Sequence, residues 1–157
     1  MNIYALEVFI VSGPVSEKFV QENPMISRTI EIRGDQTLGE LHRVIFAAFD
    51  REDEHMYEFQ FGGKGPSDPK AKVYGLACGS PSPSKKRFKK EGDASKTTMD
   101  ELGLKAKNVF GYWFDFGDDW WHQVNVVSVE DKTPKCAYPR VTGRVGKSPP
   151  QYMDQDE

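Results

Sequence analysis

Three histidines and three aspartates are the residues of this sequence whose side chains are best suited to chemistry. Imidazole nitrogens and carboxylate oxygens are the groups that bind Zn²⁺ and other divalent ions. If the segments that carry them meet at one end of a sheet, they could form the metal site of a hydrolase or nuclease. No cofactor is expected from the sequence, apart from a divalent metal if these segments converge. The six candidate site residues are His42, His55, Asp115, Asp118, Asp119 and His122.

The turn around Gly117-Asp118 decides whether Asp115 and His122 can cooperate. Glycine at the first position suits a two-residue type II′ turn. In that register Asp115 and His122 share one face of the sheet and lie diagonally opposite each other. A three-residue loop would place Asp115 on the opposite face of the sheet from His122. The turn chemistry favours the two-residue form.

Structural roles compete with the chemical ones, and the sequence favours them. Asp118 and Asp119 are typical turn residues, whose carboxylates accept hydrogen bonds from nearby amides. Asp115 and His122 could form a structural pair that fixes the tautomer of the imidazole. The tryptophans of the same stretch, Trp113, Trp120 and Trp121, are better suited to a core or an interface than to a substrate platform.

One basic run stands out from an acidic chain. The net charge is −3, but the run holds five of the 21 basic residues, so the remainder carries 16 basic against 24 acidic residues. Phosphate groups attract flexible lysine clusters, and Phe88 could stack on a base. The simpler interpretation of the basic run is a solvated loop tip. The candidate nucleic-acid contacts are Lys85, Lys86, Arg87, Lys89 and Lys90.

Length and composition indicate one domain over residues 1–157. No apolar run approaches the ~20 residues that a membrane-spanning helix needs. The first ten residues lack a basic segment and resemble a strand more than a signal peptide, so we expect a cytoplasmic protein. Cys78 and Cys136 match no zinc or redox spacing and are expected to be plain thiols.

The periodicity predicts an α+β protein with a mostly antiparallel sheet. Strands are expected at the N-terminus up to Ser12, near 26–33, at 56–62, at 107–116 and at 120–130. Thr37 and Glu40 form a capping box for the main helix, which ends near Asp50. A hairpin, a crossing helix and further strands suggest a β-grasp (ubiquitin-like) core, with the helix on one face.

Two segments depart from this pattern. Residues 63–96 are rich in Gly, Pro, Ser and Lys and form a long insert, in which a short strand near 72–76 is expected. Thr98 and Glu101 repeat the capping box for a single helical turn. The tail, residues 134–157, is expected to run extended over the surface and then fray.

Three segments resemble the plasmid pRiA4b open-reading-frame-three-like proteins of bacteria and archaea. They are residues 38–49, residues 54–59 and, most specifically, Phe114-Asp-Phe-Gly-Asp-Asp-Trp-Trp-His122. The resemblance covers nearly the whole chain. It implies a β-grasp-type domain without an established activity. Some members are encoded beside transposase genes and have been labelled transposon-passenger or resolvase-like proteins, which implies a link to plasmids and mobile elements.

The chain departs from this family at its C-terminus. Many members end in a cysteine-containing Pro-Pro-Glu-Asp-x-Gly-Gly segment, whereas this chain reads Lys147-Ser-Pro-Pro-Gln-Tyr152 there. The resolvase label also lacks support, because a serine recombinase needs a nucleophilic serine among arginines and a DNA-binding module. The sequence contains neither pattern.

Three functions remain open. The first is a β-grasp module without enzymatic activity that binds a partner, such as another protein, through one sheet face or an edge strand. The second is a metal-dependent hydrolase or nuclease built from the His and Asp set. The third is a nucleic-acid-associated accessory protein of a mobile element, acting through the basic run.

Overall fold

The protein is built on one large sheet. The computed structural model describes residues 1–62, 71–75 and 90–152, and the described strands form an eight-stranded sheet. The strands are β1 (Asn2–Ser12), β2 (Ser27–Arg33), β3 (Tyr57–Phe61), β4 (Lys72–Gly75), β5 (Lys90–Asp93), β6 (Val109–Phe114), β7 (Trp120–Asp131) and β8 (Arg140–Val145). Two helices, α1 (Glu17–Glu22) and α2 (Leu38–Ala48), and a 3₁₀ turn at Asp100–Leu102 complete the described elements.

The strand order confirms the predicted α+β class. Across the sheet the strands lie in the order β5-β4-β3-β6-β7-β1-β2-β8. The described neighbours pair antiparallel, except for the parallel pair β4 and β5. A β-grasp core is a finer assignment, which this large sheet does not establish and which stays a prediction.

The central strand β1 shows why the sheet has one strongly apolar face. Its side chains alternate, and Tyr4, Leu6 and Val8 are at most 2% exposed on the side that faces the core. Burying one such aliphatic side chain stabilises the fold by roughly 1.5–3 kcal/mol. Both edges of β1 are paired, with β2 on one side and the long strand β7 on the other.

Helix α2 forms as its sequence predicts and packs on the apolar face. The Thr37 hydroxyl accepts a hydrogen bond from Glu40 N at 3.1 Å, and the Glu40 carboxylate accepts one from Thr37 N at 3.3 Å. The pair therefore satisfies backbone groups that a helix start leaves open. The apolar side chains that the helix buries, all of them fully covered, are Leu38, Leu41, Ile45 and Ala48.

Three elements were not predicted from the sequence. The short helix α1 starts at the cap Ser16, inside the expected loop. Strand β5 lies within the insert, where only β4 was expected. The prediction of a tail that only runs over the surface is wrong for residues 140–145, because β8 pairs with β2. Strand β2 would otherwise present an unpaired row of backbone groups at that edge.

Arg28 explains how β8 is held. It is a charged residue on the largely apolar face of β2, yet its side chain is only 2% exposed. Its guanidinium donates hydrogen bonds to Ala48 O at 2.8 Å, to Val145 O at 3.0 Å and to Ser148 Oγ at 2.9 Å. One arginine thus joins the end of α2 to β8 and to the segment after it.

Two further expectations concern single features. Neither described helix has the length and apolar character needed to cross a bilayer. Cys136 is an exposed free thiol, as expected, whereas Cys78 lies outside the described residues.

Candidate functional site

The β6–β7 hairpin has a different register from the one that its turn suggests. Tyr112 pairs with His122 and Phe114 pairs with Trp120, so that residues 115–119 form a five-residue connection. The prediction of a two-residue turn is therefore wrong. The buried aromatic side chains determine this register, because it places Tyr112, Phe114, Trp120 and His122 together on the core face.

The aspartates stabilise the connection between the two strands. Asp115 and Asp119 adopt left-handed backbone conformations, with φ of 62° and 57°. Asp115 Oδ1 accepts hydrogen bonds from Gly117 N at 3.1 Å and Asp118 N at 3.2 Å. Asp119 Oδ1 accepts a hydrogen bond from Trp113 Nε1 at 2.9 Å. The sequence suggested this turn-forming role for Asp118 and Asp119, whereas Asp115 is the residue whose carboxylate accepts from nearby amides, and Asp119 accepts from an indole instead.

His122 is buried at the centre of the molecule, and its partner is Arg51. Arg51 Nη2 donates a hydrogen bond to His122 Nε2 at 2.8 Å, and His122 Nδ1 lies 3.1 Å from Tyr112 O. Since a guanidinium only donates, Nε2 carries no proton and Nδ1–H donates to the carbonyl. Burial and the nearby Arg51 charge hold the pKa of His122 well below its usual value.

Arg51 itself is an unusual buried cation. It is 7% exposed, and its guanidinium lies over the rings of Phe49, Phe114 and Trp120 at 4.9 to 5.2 Å. Burial lowers the pKa of Arg51 to about 10, and the Asp115 carboxylate opposes that shift. Aromatic faces and His122 therefore take the place of a directly paired carboxylate among the described residues.

His42 lies at the boundary between the core and the surface. Its Nδ1 is 2.5 Å from the Tyr112 hydroxyl, and its Nε2 is 2.5 Å from Glu54 Oε1. Its ring stacks on Tyr57, with the centroids 3.8 Å apart. Burial lowers the pKa of His42, and Glu54 opposes the shift. In the neutral form, Tyr112 O–H donates to Nδ1 and Nε2–H donates to Glu54.

His55 occupies a third, more exposed environment. Its Nε2 lies 2.9 Å from the Tyr152 hydroxyl and 3.4 Å from Asp115 Oδ2. The ring meets Phe114 edge-on, with the centroids 5.9 Å apart. Asp115 therefore pairs with His55, and the expected pairing of Asp115 with His122 is wrong.

The six candidate site residues do not form one metal site. Each histidine has its own partner: Glu54 for His42, Asp115 for His55 and Arg51 for His122. Within residues 1–62, 71–75 and 90–152, no group of three or more His, Cys, Asp or Glu side chains could hold a metal ion. Packing around the aromatic core separates the side chains that the ligand hypothesis had to bring together.

A surface pocket lies beside His42 and His55. It has a volume of about 290 Å³ and lies between helix α2, strand β3 and the loop that follows β5. We call it the α2–β3 pocket. Its lining residues are Gly39, His42, Arg43, Glu54, His55, Tyr57 and Ser95. Two of the predicted site residues, His42 and His55, thus meet here.

The sequence did not identify most residues of this region. Arg51 and Tyr112 carry no motif, because an isolated arginine or tyrosine looks the same in the core and on the surface. Arg43, Glu54 and Tyr57 do have a signal, since they lie in the family-like segments at 38–49 and 54–59. Of the basic run, residues 85–89 lie outside the described part, and only the backbone of Lys90, in β5, is described.

Comparisons with known proteins agree with this structure. The family described as "Plasmid pRiA4b ORF-3-like protein" matches residues 18–154. Among solved structures, the crystal structure of the protein of unknown function MM3350 from Methanosarcina mazei Go1 has a TM-score of 0.67 at 22% identity, over 96% of this chain and 72% of that one. At this identity the likeness shows the fold alone. No curated protein matches the chain.

Proposed function

The chain belongs to the plasmid pRiA4b ORF-3-like family, and we propose that it is a binding module without enzymatic activity. The α2–β3 pocket is the proposed ligand site. Neither the family description nor the structural neighbour states an activity, so the proposal rests on the geometry.

The occupied imidazoles are the observation that carries the proposal. Both ring nitrogens of His42 and both of His122 contact protein groups. A general base needs a free nitrogen within hydrogen-bond reach of a substrate. His122 is also buried, at 3% exposed. These two histidines therefore support a folded polar core more than a reaction centre.

Side chains of the pocket remain open for a ligand. The Arg43 guanidinium and the Tyr57 hydroxyl form no hydrogen bond or ion pair in the part of the chain that the structure describes. Burial, Glu54 and Asp93 raise the pKa of Tyr57 to about 12, so its hydroxyl stays protonated and can donate. A small pocket with a few unpaired polar groups is the usual form of a binding site.

The features of the edge strand β8 argue against partner binding by strand addition, and therefore favour the α2–β3 pocket as the binding site. Its pairing with β2 contains a register shift between Thr29 and Ile30. Arg140 and Arg144 are both exposed on it. Bulges and charged side chains are devices that protect edge strands from pairing with another chain. Partner binding at β8 by added backbone pairing is therefore disfavoured.

The two alternative functions receive less support. A metal-dependent hydrolase or nuclease would need the convergence of His and Asp ligands that is missing among the described residues. An accessory role in nucleic-acid transactions of a mobile element would rest on residues 85–89, outside the described part.

A single domain over 1–157, a β-grasp core and a cytoplasmic location stay part of the proposal. The chain order of hairpin, helix and strands supports the β-grasp core. The free thiol of Cys136 supports the cytoplasmic location.

An NMR screen of a fragment library on ¹⁵N-labelled protein tests the proposed site. We expect ligands that shift the amide signals of Gly39, His42 and Ser95. The variant Ser95→Phe should abolish these shifts by filling the pocket. Its matched control is Lys96→Phe, because Lys96 is the exposed neighbour of Ser95 and does not line the pocket. A library that perturbs none of the lining residues would refute the pocket as a ligand site.

Metal analysis tests the absence of metal-dependent catalysis. We expect the purified protein to contain no stoichiometric metal after incubation with Zn²⁺, Mn²⁺ or Mg²⁺ and dialysis. We also expect EDTA to leave the melting temperature unchanged. Bound metal that is lost in the variants His55→Ala and Asp115→Asn would restore the hydrolase hypothesis.

A further inference from the structure

Two opposite charges line the α2–β3 pocket. Arg43 lies on helix α2, and Glu54 lies in the loop before β3. The ion pairs among the described residues do not include one between them, although both side chains line the same small pocket. A cation and an anion held apart on two walls form a site for a ligand that carries both charges.

From this arrangement we infer that the pocket binds a small zwitterion of the α-amino acid class. The inference rests on the proposed function and names its ligand. The ligand carboxylate pairs with the Arg43 guanidinium, whose planar fork suits a carboxylate. The ligand ammonium donates to the Glu54 carboxylate.

The contacts of Glu54 agree with this assignment. Among the residues that the structure describes, only Oε1 is held, by His42 Nε2 at 2.5 Å, and the side chain remains 61% exposed. The bond to His42 directs the carboxylate toward the pocket and leaves Oε2 as an acceptor. A second acceptor is the Ser95 hydroxyl, which donates its own proton to Asp93 Oδ1 at 2.7 Å.

The size of the pocket also favours a small ligand. Its volume of about 290 Å³ is just below the ~300–1,000 Å³ range of small-molecule sites. Tyr57 and His42 stack on each other and give the pocket one aromatic wall, against which the ligand's side chain can lie. The Tyr57 hydroxyl adds a donor for the ligand carboxylate.

Binding of three related ligand series by titration calorimetry tests the inference. The series are free L-amino acids, their N-acetyl derivatives, which lack the ammonium, and their amides, which lack the carboxylate. We expect saturable binding of free amino acids. Each derivative should bind about 10- to 100-fold more weakly than the free amino acid, because it loses one charged hydrogen bond.

Two variants assign each charge to one wall of the pocket. In Arg43→Met, free amino acids and their amides should bind equally weakly. In Glu54→Gln, free amino acids and their N-acetyl derivatives should bind equally weakly. The controls Lys18→Met and Glu17→Gln remove the same charges from α1, which contributes no lining residue, and should leave binding unchanged.

The outcomes separate this inference from the proposed function. If library fragments bind the pocket but no free amino acid does, the ligand class is wrong and the binding module stands. The ligand class is equally overturned if amino acids bind and both pocket variants behave like the α1 controls. If neither fragments nor amino acids bind, both proposals fail.

Discussion

Arg51 donates a hydrogen bond to the buried His122 at 2.8 Å, with both side chains less than 8% exposed. This contact requires an unprotonated Nε2, and the carbonyl of Tyr112 requires a proton on Nδ1. A cation and a neutral imidazole thus share the centre of the protein. The cation is stabilised by the surrounding aromatic rings, and the imidazole serves as its acceptor.

We predict that His122 stays neutral, in the Nδ1–H tautomer, over the pH range in which free histidine titrates. Burial and Arg51 lower its pKa far below the usual value, so no proton is gained in this range. Long-range ¹H–¹⁵N NMR of the imidazole distinguishes the two tautomers and the charged form. Free histidine in the same sample provides the reference titration. A midpoint near 6.5 for His122 would contradict the structure.

Stability should fall as the pH decreases below about 6.5, the usual pKa of histidine. The pKa values of His42 and His122 are lowered in the folded protein, so the unfolded chain binds more protons in this window. While its folded form stays neutral, each histidine reduces the free energy of unfolding by at most about 1.4 kcal/mol for each unit by which the pH falls. Urea unfolding at pH 7 and pH 5.5 measures the slope.

The variant His122→Gln is the control for this slope. It should lower stability at pH 7, because the ring of His122 no longer packs against Phe49 and Tyr112, and it should remove the contribution of one histidine to the pH dependence. An unchanged slope in His122→Gln would show that His122 is not a source of the pH dependence.

Asp119 should be replaceable by asparagine but not by alanine. Its Oδ1 accepts from Trp113 Nε1, and its φ is 57°. Asparagine keeps an acceptor and tolerates the left-handed conformation, whereas alanine does neither. We expect Asp119→Ala to cost about 2–3 kcal/mol of unfolding free energy.

Near-UV circular dichroism provides a second measure of the Asp119 variants. Trp113 stacks on Trp121, with the ring centroids 4.7 Å apart and the planes at 7°. We expect Asp119→Ala to weaken the coupled tryptophan signal and Asp119→Asn to preserve it. Equal losses in both variants would mean that the hydrogen bond to Trp113 is unimportant.

Gln151 should be essential for the loop that precedes β3. Its Oε1 accepts from Glu52 N at 2.8 Å and Asp53 N at 2.9 Å, and its Nε2 donates to Asp53 O at 2.6 Å. In Gln151→Glu a carboxylate would face a carbonyl oxygen, with one donor lost. We expect a destabilisation of about 1–3 kcal/mol.

Hydrogen exchange localises the effect of this change. The amides of Glu52 and Asp53 should lose protection more strongly in Gln151→Met than in Gln151→Glu, because only glutamate still accepts their hydrogen bonds. An exposed control in the same part of the chain is Lys147→Met. Identical exchange in all variants would refute the role of Gln151.

Local patterns explain what could be predicted from the sequence. The capping box at Thr37 and Glu40, the alternation along β1 and the pairing of β6 with β7 depend on neighbouring residues, so their signals survive in a single sequence. The strand β8 could not be found in this way. Its position depends on the free edge of β2 and on Arg28, which lie far away along the chain.

The error in the candidate site has a similar cause. Turn chemistry at Gly117 suggested a two-residue connection, but the burial of Tyr112 opposite His122 determined the register. A change of one residue in register moves every side chain to the other face, so Asp115 could not reach His122. Arg51 was missed because its role depends on three aromatic rings brought together only by folding.

The pairing of β1 with β7 has a consequence for synthesis of the protein. Asn2 pairs with Asp131, so two strands that are far apart along the chain are neighbours in the interior of the sheet. At translation rates of ~5–20 residues per second, the β1–β2 hairpin waits roughly 5 to 20 s for β7 to emerge. During that time one edge of β1 has no partner. Glu7, the only charged residue of β1, is then the residue that opposes association between nascent chains.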